Sequence, residues 1–165
     1  MSAAADDYSP SSPLRRAAEQ GDAGAQYSYG LHYLMGKGEV HRDYAEAVKW
    51  FHKAAKQGHI QAQIKLAKCY MNGTGVSKNP AEAVKWFRRA AEKGNTQAQI
   101  LLARCYMEGI GVDQNYVEGS KWYLKAAEQG HTLAKRSLKA AAERGIEPAK
   151  QALQSLEGKA ASQSR

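Results

Sequence analysis

The chemistry open to this chain rests on two cysteines, five histidines and an uneven positive charge. Cys69 and Cys105 lie 36 positions apart, and His32 stands in the matching position of an earlier copy of the same pattern. Such a pair could close a disulfide or hold a soft metal. Successive packed helices sit ~8–10 Å apart, whereas a disulfide wants Cα atoms within ~7 Å, so the expectation is two half-buried free thiols. His32, His41, His52, His59 and His131 form no His-Glu-x-x-His or His-x-x-x-His pattern. His59 and His131 share a slot two repeats apart, roughly 20 Å by the same spacing, too far to share a metal. No metal site and no cofactor are expected.

Nucleophilic catalysis finds no support either. The chain has no Ser-x-x-Lys, which would set a serine beside its base on one helix turn, and no Gly-x-Ser-x-Gly elbow. Gly36-Lys37-Gly38, Gly73-Thr74-Gly75 and Gly109-Ile110-Gly111 are not phosphate loops, since no strand precedes them and Gly-Lys-Ser/Thr is missing. They read as helix ends, where glycine takes the left-handed conformation. What remains is charge. The formal net charge is +8, with +5 over residues 58–93 and +4 over 130–165. Excess positive charge raises affinity for acidic partners of any kind.

The elements that must position these groups repeat. Trp-Phe/Tyr-x-x-Ala-Ala-x-x-Gly occurs three times, from Trp50, Trp86 and Trp122, at a period of 36 residues. A fixed period in this range marks a solenoid of supersecondary units. Ala25, Ala62, Ala98 and Ala134 open a first helix, A. Tyr29, Leu66, Leu102 and Leu138 follow four residues on, and then Gly30, Ala67 and Ala103, and Tyr33, Tyr70 and Tyr106. This spacing is one face of a helix, predicted over 23–35, 60–72, 96–108 and 132–143. A second helix, B, starts after Asp43, Asn79 and Asn115, with Glu46, Glu82 and Glu118 three positions on as in a capping box. It ends at Gly58, Gly94 and Gly130. Tyr33, Tyr70 and Tyr106 and Trp50, Trp86 and Trp122 recur with the core alanines and read as structural core rather than an aromatic ligand ladder. Tyr29 is the exception to watch, because its slot is leucine in later units. Glu46/Lys49, Glu82/Lys85 and Glu118/Lys121 are solvated i, i+3 pairs.

The ends differ. Residues 12–21 read as the last half of a helix B, and 132–158 as a fourth unit that has lost its aromatics; solenoids need such caps at each end. The solenoid domain is predicted over 12–158, with repeats at about 22–58, 59–94 and 95–130 and a capping unit at 131–158. Tails 1–11 and 159–165 are expected to be disordered. No stretch reaches the ~18 apolar residues of a membrane span. No signal peptide is visible in residues 1–13, so the cytoplasm is the expected compartment. A periplasmic or secreted setting stays open if the sequence is a trimmed piece.

These residues resemble the Sel-one-like repeat (SLR), a relative of the tetratricopeptide repeat, across about 14–145. The resemblance implies an all-α, right-handed α/α superhelix with helix A lining a concave groove, and adaptor roles in assembling complexes. Some members have carried a β-lactamase or penicillin-binding label, which the missing Ser-x-x-Lys argues against, so no enzyme is expected.

A groove would use the helix A slots opposite the core. At 100° per residue these fall at Ser28, Leu31 and Met35; at Gln61, Lys65, Lys68 and Asn72; and at Gln97, Leu101, Arg104 and Glu108. Core slots repeat and these vary. Lys65, Lys68 and Arg104 with Leu31 and Leu101 make a basic and apolar stripe suited to an acidic peptide with apolar anchors. The leading expectation is therefore an adaptor that binds a partner polypeptide on this face. The alternatives are an immunity or inhibitor protein for a cognate toxin, a basic nucleic-acid-binding module, and the enzyme. Oligomeric state is left open.

Overall fold

The computed structural model describes residues 12–37 and 40–163. Within them all regular structure is helical: α1 (Pro13–Glu19), α2 (Ala23–Met35), α3 (Tyr44–Lys56), α4 (Ile60–Asn72), α5 (Pro80–Glu92), α6 (Thr96–Glu108), α7 (Tyr116–Glu128), α8 (Thr132–Glu143) and α9 (Glu147–Gln163). Helices α2, α4, α6 and α8 are the helices A, over the residues that the periodicity predicts. Two compact units divide between Trp86 and Phe87, inside α5. None of the described helices is long and apolar enough to cross a membrane.

In the first unit, α3 packs against both α2 and α4, and α1 packs against α2. Ala18, Ala25, Tyr29 and Trp50 form a buried cluster that Leu14, Ala17, Tyr33 and Val40 flank. Tyr29 lies edge-on to Trp50 at 5.1 Å and to Tyr33 at 5.1 Å. It is therefore a packing residue, filling with a ring the slot that leucine fills later. Gly30 is small for a reason: a Cβ there would lie 2.7 Å from the Phe51 ring. In the second unit, α7 packs against α6, α8 and α9. Gly119 of α7 plays the matching part, since a Cβ on it would come 2.7 Å from Met107 Cγ. Trp50, Trp86 and Trp122 are all buried, and so is Tyr106, whereas Tyr33 and Tyr70 are only half-buried.

Each hairpin is closed by its backbone ends. Helices α2, α4 and α6 end on left-handed Gly36, Gly73 and Gly109, whose N–H groups donate to the carbonyls of His32, Cys69 and Cys105. Asp43, Asn79 and Asn115 accept from Glu46, Glu82 and Glu118 N–H, as N-caps should. The reciprocal half of the capping box does not form. The cap N–H groups donate instead to the carbonyls of Tyr33, Tyr70 and Tyr106 at 2.8–2.9 Å. Each such bond satisfies an orphan carbonyl in the last turn of helix A and ties helix B to it. The glutamates turn outward to Lys49, Lys85 and Lys121 at 2.8, 3.1 and 3.5 Å.

One expectation about the ends is corrected. Helix α9 continues through Gln163, so residues 159–163 are helical rather than tail; Lys159 there pairs with Glu128 of α7. The tail expected at 1–11 lies outside the described residues.

Candidate interaction surface

The cysteines are settled by burial. Both are free and buried, not half-buried as their slot suggests. Burial pushes the Cys69 thiol up, against a smaller opposing pull from Lys65. It pushes Cys105 up to about 11, with Arg104 pulling the other way. Buried, protonated thiols are inert packing groups. His59 is an N-cap: its Nδ1 accepts from Ala62 N–H at 3.2 Å, and Tyr27 stacks on its ring at 4.8 Å. His131, in the same slot, makes no such cap bond. Among the described residues no group of three or more His, Cys, Asp or Glu could hold a metal.

A polar ladder sits where the sequence reading found only alanine. Gln26, Gln63 and Gln99 follow Ala25, Ala62 and Ala98 and are buried. Their Nε2 groups donate to the carbonyls of Ala18, Ala55 and Ala91 at 3.1–3.2 Å. Those carbonyls end the preceding helix B or α1, so each glutamine fastens one hairpin to the next. Gln57 and Gln129 extend the ladder onto Gln26 and Gln99 at 2.8 and 2.9 Å. The Ala-Gln dipeptide recurs in the first three copies and gives way to Ala134-Lys135 in the fourth, and that signal was available in the sequence.

Several helix B cations also serve packing. Lys53 lies 3.9 Å from the centre of the Trp50 ring, and Lys125 lies 4.4 Å from that of Trp122. Arg88 donates to the Tyr106 hydroxyl and covers its ring at 5.6 Å. Such placements absorb basic charge that the composition leaves unassigned.

The slots opposite the core are open to solvent. In the first unit Met35, Gln61 and Asn72 are exposed, while Ser28, Leu31, Lys65 and Lys68 are half-buried. In the second, Gln97, Arg104 and Glu108 are exposed and Leu101 is half-buried. None is buried, whereas Tyr29, Leu66 and Leu102 of the core slots are at most 4% exposed.

The same slots run on into α8, which the sequence reading treated only as a cap. They are Ser137, Ala140 and Arg144, in register with Leu101, Arg104 and Glu108 at 36 residues. These three residues and Glu108 line one cavity of about 410 Å³, completed by Met107, Gln114, Tyr116, Tyr123, Ala141 and Ile146. Leu101 and Arg104 are not among its lining residues. Burial pushes the Tyr123 phenol up, against a smaller opposing pull from its hydrogen bond with Ser137.

Comparison with known proteins fits this geometry. The Sel1 repeat matches at residues 14–22, 23–59, 60–95 and 96–131. A protective antigen of uropathogenic Escherichia coli with an SLR fold is 48% identical over 80% of this chain and 28% of its own, with a TM-score of 0.77. A Sel1 repeat protein from Oxalobacter formigenes is 38% identical over 77% of this chain and 95% of its own, with a TM-score of 0.70. Cysteine-rich protein B of Helicobacter pylori, 18% identical at a TM-score of 0.58 over 78% of this chain and 96% of its own, shares the fold. Among curated proteins, the ERAD-associated E3 ubiquitin-protein ligase component HRD3A of Arabidopsis thaliana is 36% identical over 62 residues, 38% of this chain. An Arabidopsis F-box protein is 39% identical over 59 residues, 36% of this chain. The matches span only 9% and 16% of those two proteins. The four matched stretches, their paired helices and their repeated caps place the chain in the Sel1 repeat family.

Proposed function

We propose that the chain is an interaction scaffold that takes a partner polypeptide on the solvent-facing slots of its helices A. Sel1 repeat proteins are typically scaffolds for other proteins, and two curated relatives are, by name, an E3 ligase component and an F-box protein. The observation that carries the reading is a division of labour. Core slots repeat and, Tyr33 and Tyr70 apart, are buried, while most of the opposite slots differ between repeats and none is buried. A face free of packing duty can specialise for a partner. In the first unit Lys65 and Lys68 accompany Leu31, and in the second Arg104 accompanies Leu101; each set offers positive charge and apolar area, which suits an acidic segment with apolar anchors.

The test is Lys68→Glu combined with Arg104→Glu. Partner capture in a pull-down should fall at least tenfold, with the melting temperature within a degree or two of wild type, because neither residue carries an ion pair among the described residues. Undiminished capture rejects the assignment of this face.

A further inference from the structure

We propose that the cavity between α6, α7 and α8 receives an aromatic side chain of the partner polypeptide, with a neighbouring acidic side chain of that partner on Arg144. The inference deepens the scaffold reading and rests on it.

The cavity exists because α8 departs from the repeat. Ala140, Ala141 and Ala142 occupy the slots of Arg104, Cys105 and Tyr106 in α6, and of Lys68, Cys69 and Tyr70 in α4. At Ala141 a buried cysteine slot is cut back to a methyl group, and at Ala140 a long cation on the rim is cut back likewise; both alanines line the cavity. About 410 Å³ is left, within the ~300–1,000 Å³ range of ligand sites and ample for one large side chain.

Its walls choose the occupant. The rings of Tyr116 and Tyr123, the thioether of Met107, and Ile146, Ala140 and Ala141 supply apolar surface. Rings and a thioether favour an aromatic guest over an aliphatic one. Met107 reaches this position because Gly119 makes room for it.

Charge decides what stands next to that ring. Arg144 is exposed and enters none of the ion pairs among the described residues, so its guanidinium can fork onto a carboxylate. Glu108, also on the lining, repels a second acid and can accept a backbone N–H from a chain passing over the mouth. One carboxylate beside one ring is therefore the complementary motif.

The probe is the peptide acetyl-Gly-Phe-Asp-Gly-amide, titrated into the ¹⁵N-labelled full chain. Amide shifts should concentrate at Ser137, Ala140, Ala141 and Arg144. Replacing Asp by Asn in the peptide, or Arg144→Gln in the protein, should each weaken binding about tenfold. Ala140→Leu, which refills the cavity, should abolish it. Shifts scattered over the surface, equal binding by the Asn peptide, or full binding by Arg144→Gln would overturn the proposal; Arg144 is exposed, so that variant stays informative even if Ala140→Leu fails to fold. Acetyl-Gly-Phe with a free carboxylate, if it bound tenfold tighter than the amidated peptide, would show that the site reads chain ends and would also overturn it. Should the cavity fail while Lys68→Glu with Arg104→Glu still abolishes partner capture, the scaffold reading stands without this anchor.

Discussion

Gly73 and Gly75 look alike in sequence and do different work, and alanine at each separates them. Gly73 is the left-handed end of α4, with φ +74°. A Cβ there would meet the Lys78 Cβ at 3.2 Å, which asks the loop to give by only a few tenths of an ångström. Gly73→Ala therefore carries the left-handed cost of ~1–2 kcal/mol, reduced by the ~0.4–1 kcal/mol gained from a stiffer unfolded chain. Gly75 also has positive φ, +69°, but its α-carbon backs onto the start of α3. A Cβ there would run into the Tyr44 carbonyl and lie 2.8 Å from the Ala45 nitrogen. Both obstacles are helix backbone, so relief requires α3 or the loop to move, adding the ~1–3 kcal/mol typical of overpacking. The net expectation is a loss of ~2–4 kcal/mol for Gly75→Ala against ~1 kcal/mol for Gly73→Ala. Urea denaturation followed by circular dichroism at 222 nm measures both, compared at equal m-value. Equal losses, or a larger loss at Gly73, would refute the close-approach argument and reduce both glycines to helix ends.

Further outcomes follow from the same geometry. Trp86→Ala should lower stability by ~3–5 kcal/mol as a buried aromatic truncation; a loss under ~1 kcal/mol in the same urea assay would contradict its burial. Gln99→Ala should cost ~1–3 kcal/mol, because it strands the Gln129 amide and the Ala91 carbonyl. In a double-mutant cycle with Gln129→Ala the losses should be less than additive, and strict additivity would contradict the ladder. Cys105, raised to about 11, should react with a disulfide reagent at pH 8 about two-hundredfold more slowly than free cysteine, on its thiolate fraction alone; comparable rates would mean an open thiol. Stability should also fall at high pH. Tyr29 is raised to about 12, chiefly by burial and then by its bond to Tyr33. The unfolded chain therefore loses these protons first, and the contribution present below pH ~10 drains away as pH climbs towards ~12. A flat profile of urea midpoints between pH 9 and 12 would contradict it.

The periodicity carried most of the fold, for a physical reason. In a solenoid every packing contact recurs, so burial is written into the sequence as repetition, and Ala25, Tyr29 and Gly30 can be read from their later copies. Helix ends were legible for the same reason, since Asp43, Asn79 and Asn115 each cap a helix B. What repetition hides is which partner a repeated group takes. Glu46 stands where a capping box wants it, yet Tyr33 supplies the acceptor for the Asp43 N–H, and only the three-dimensional hairpin brings that carbonyl within reach. The glutamine ladder escaped because glutamine reads as polar and exposed, although Gln63 is 3% exposed. Helix geometry picked out slots that the structure leaves exposed at Met35, Gln61, Asn72, Gln97, Arg104 and Glu108 and half-buried at Ser28, Leu31, Lys65, Lys68 and Leu101. The cavity was out of reach, because its walls are drawn from residues as far apart in the chain as Met107, Tyr123 and Ile146.

The central claim concerns which side of each hairpin meets a partner. A photo-reactive amino acid placed singly at Leu31, Lys68, Leu101 and Arg104, with Lys49 and Lys121 as helix B controls, tests it in native lysate. The account predicts one common cross-linked polypeptide from the helix A positions and none from the controls. Cross-links to that polypeptide from Lys49 and Lys121, with none from the helix A positions, would contradict it.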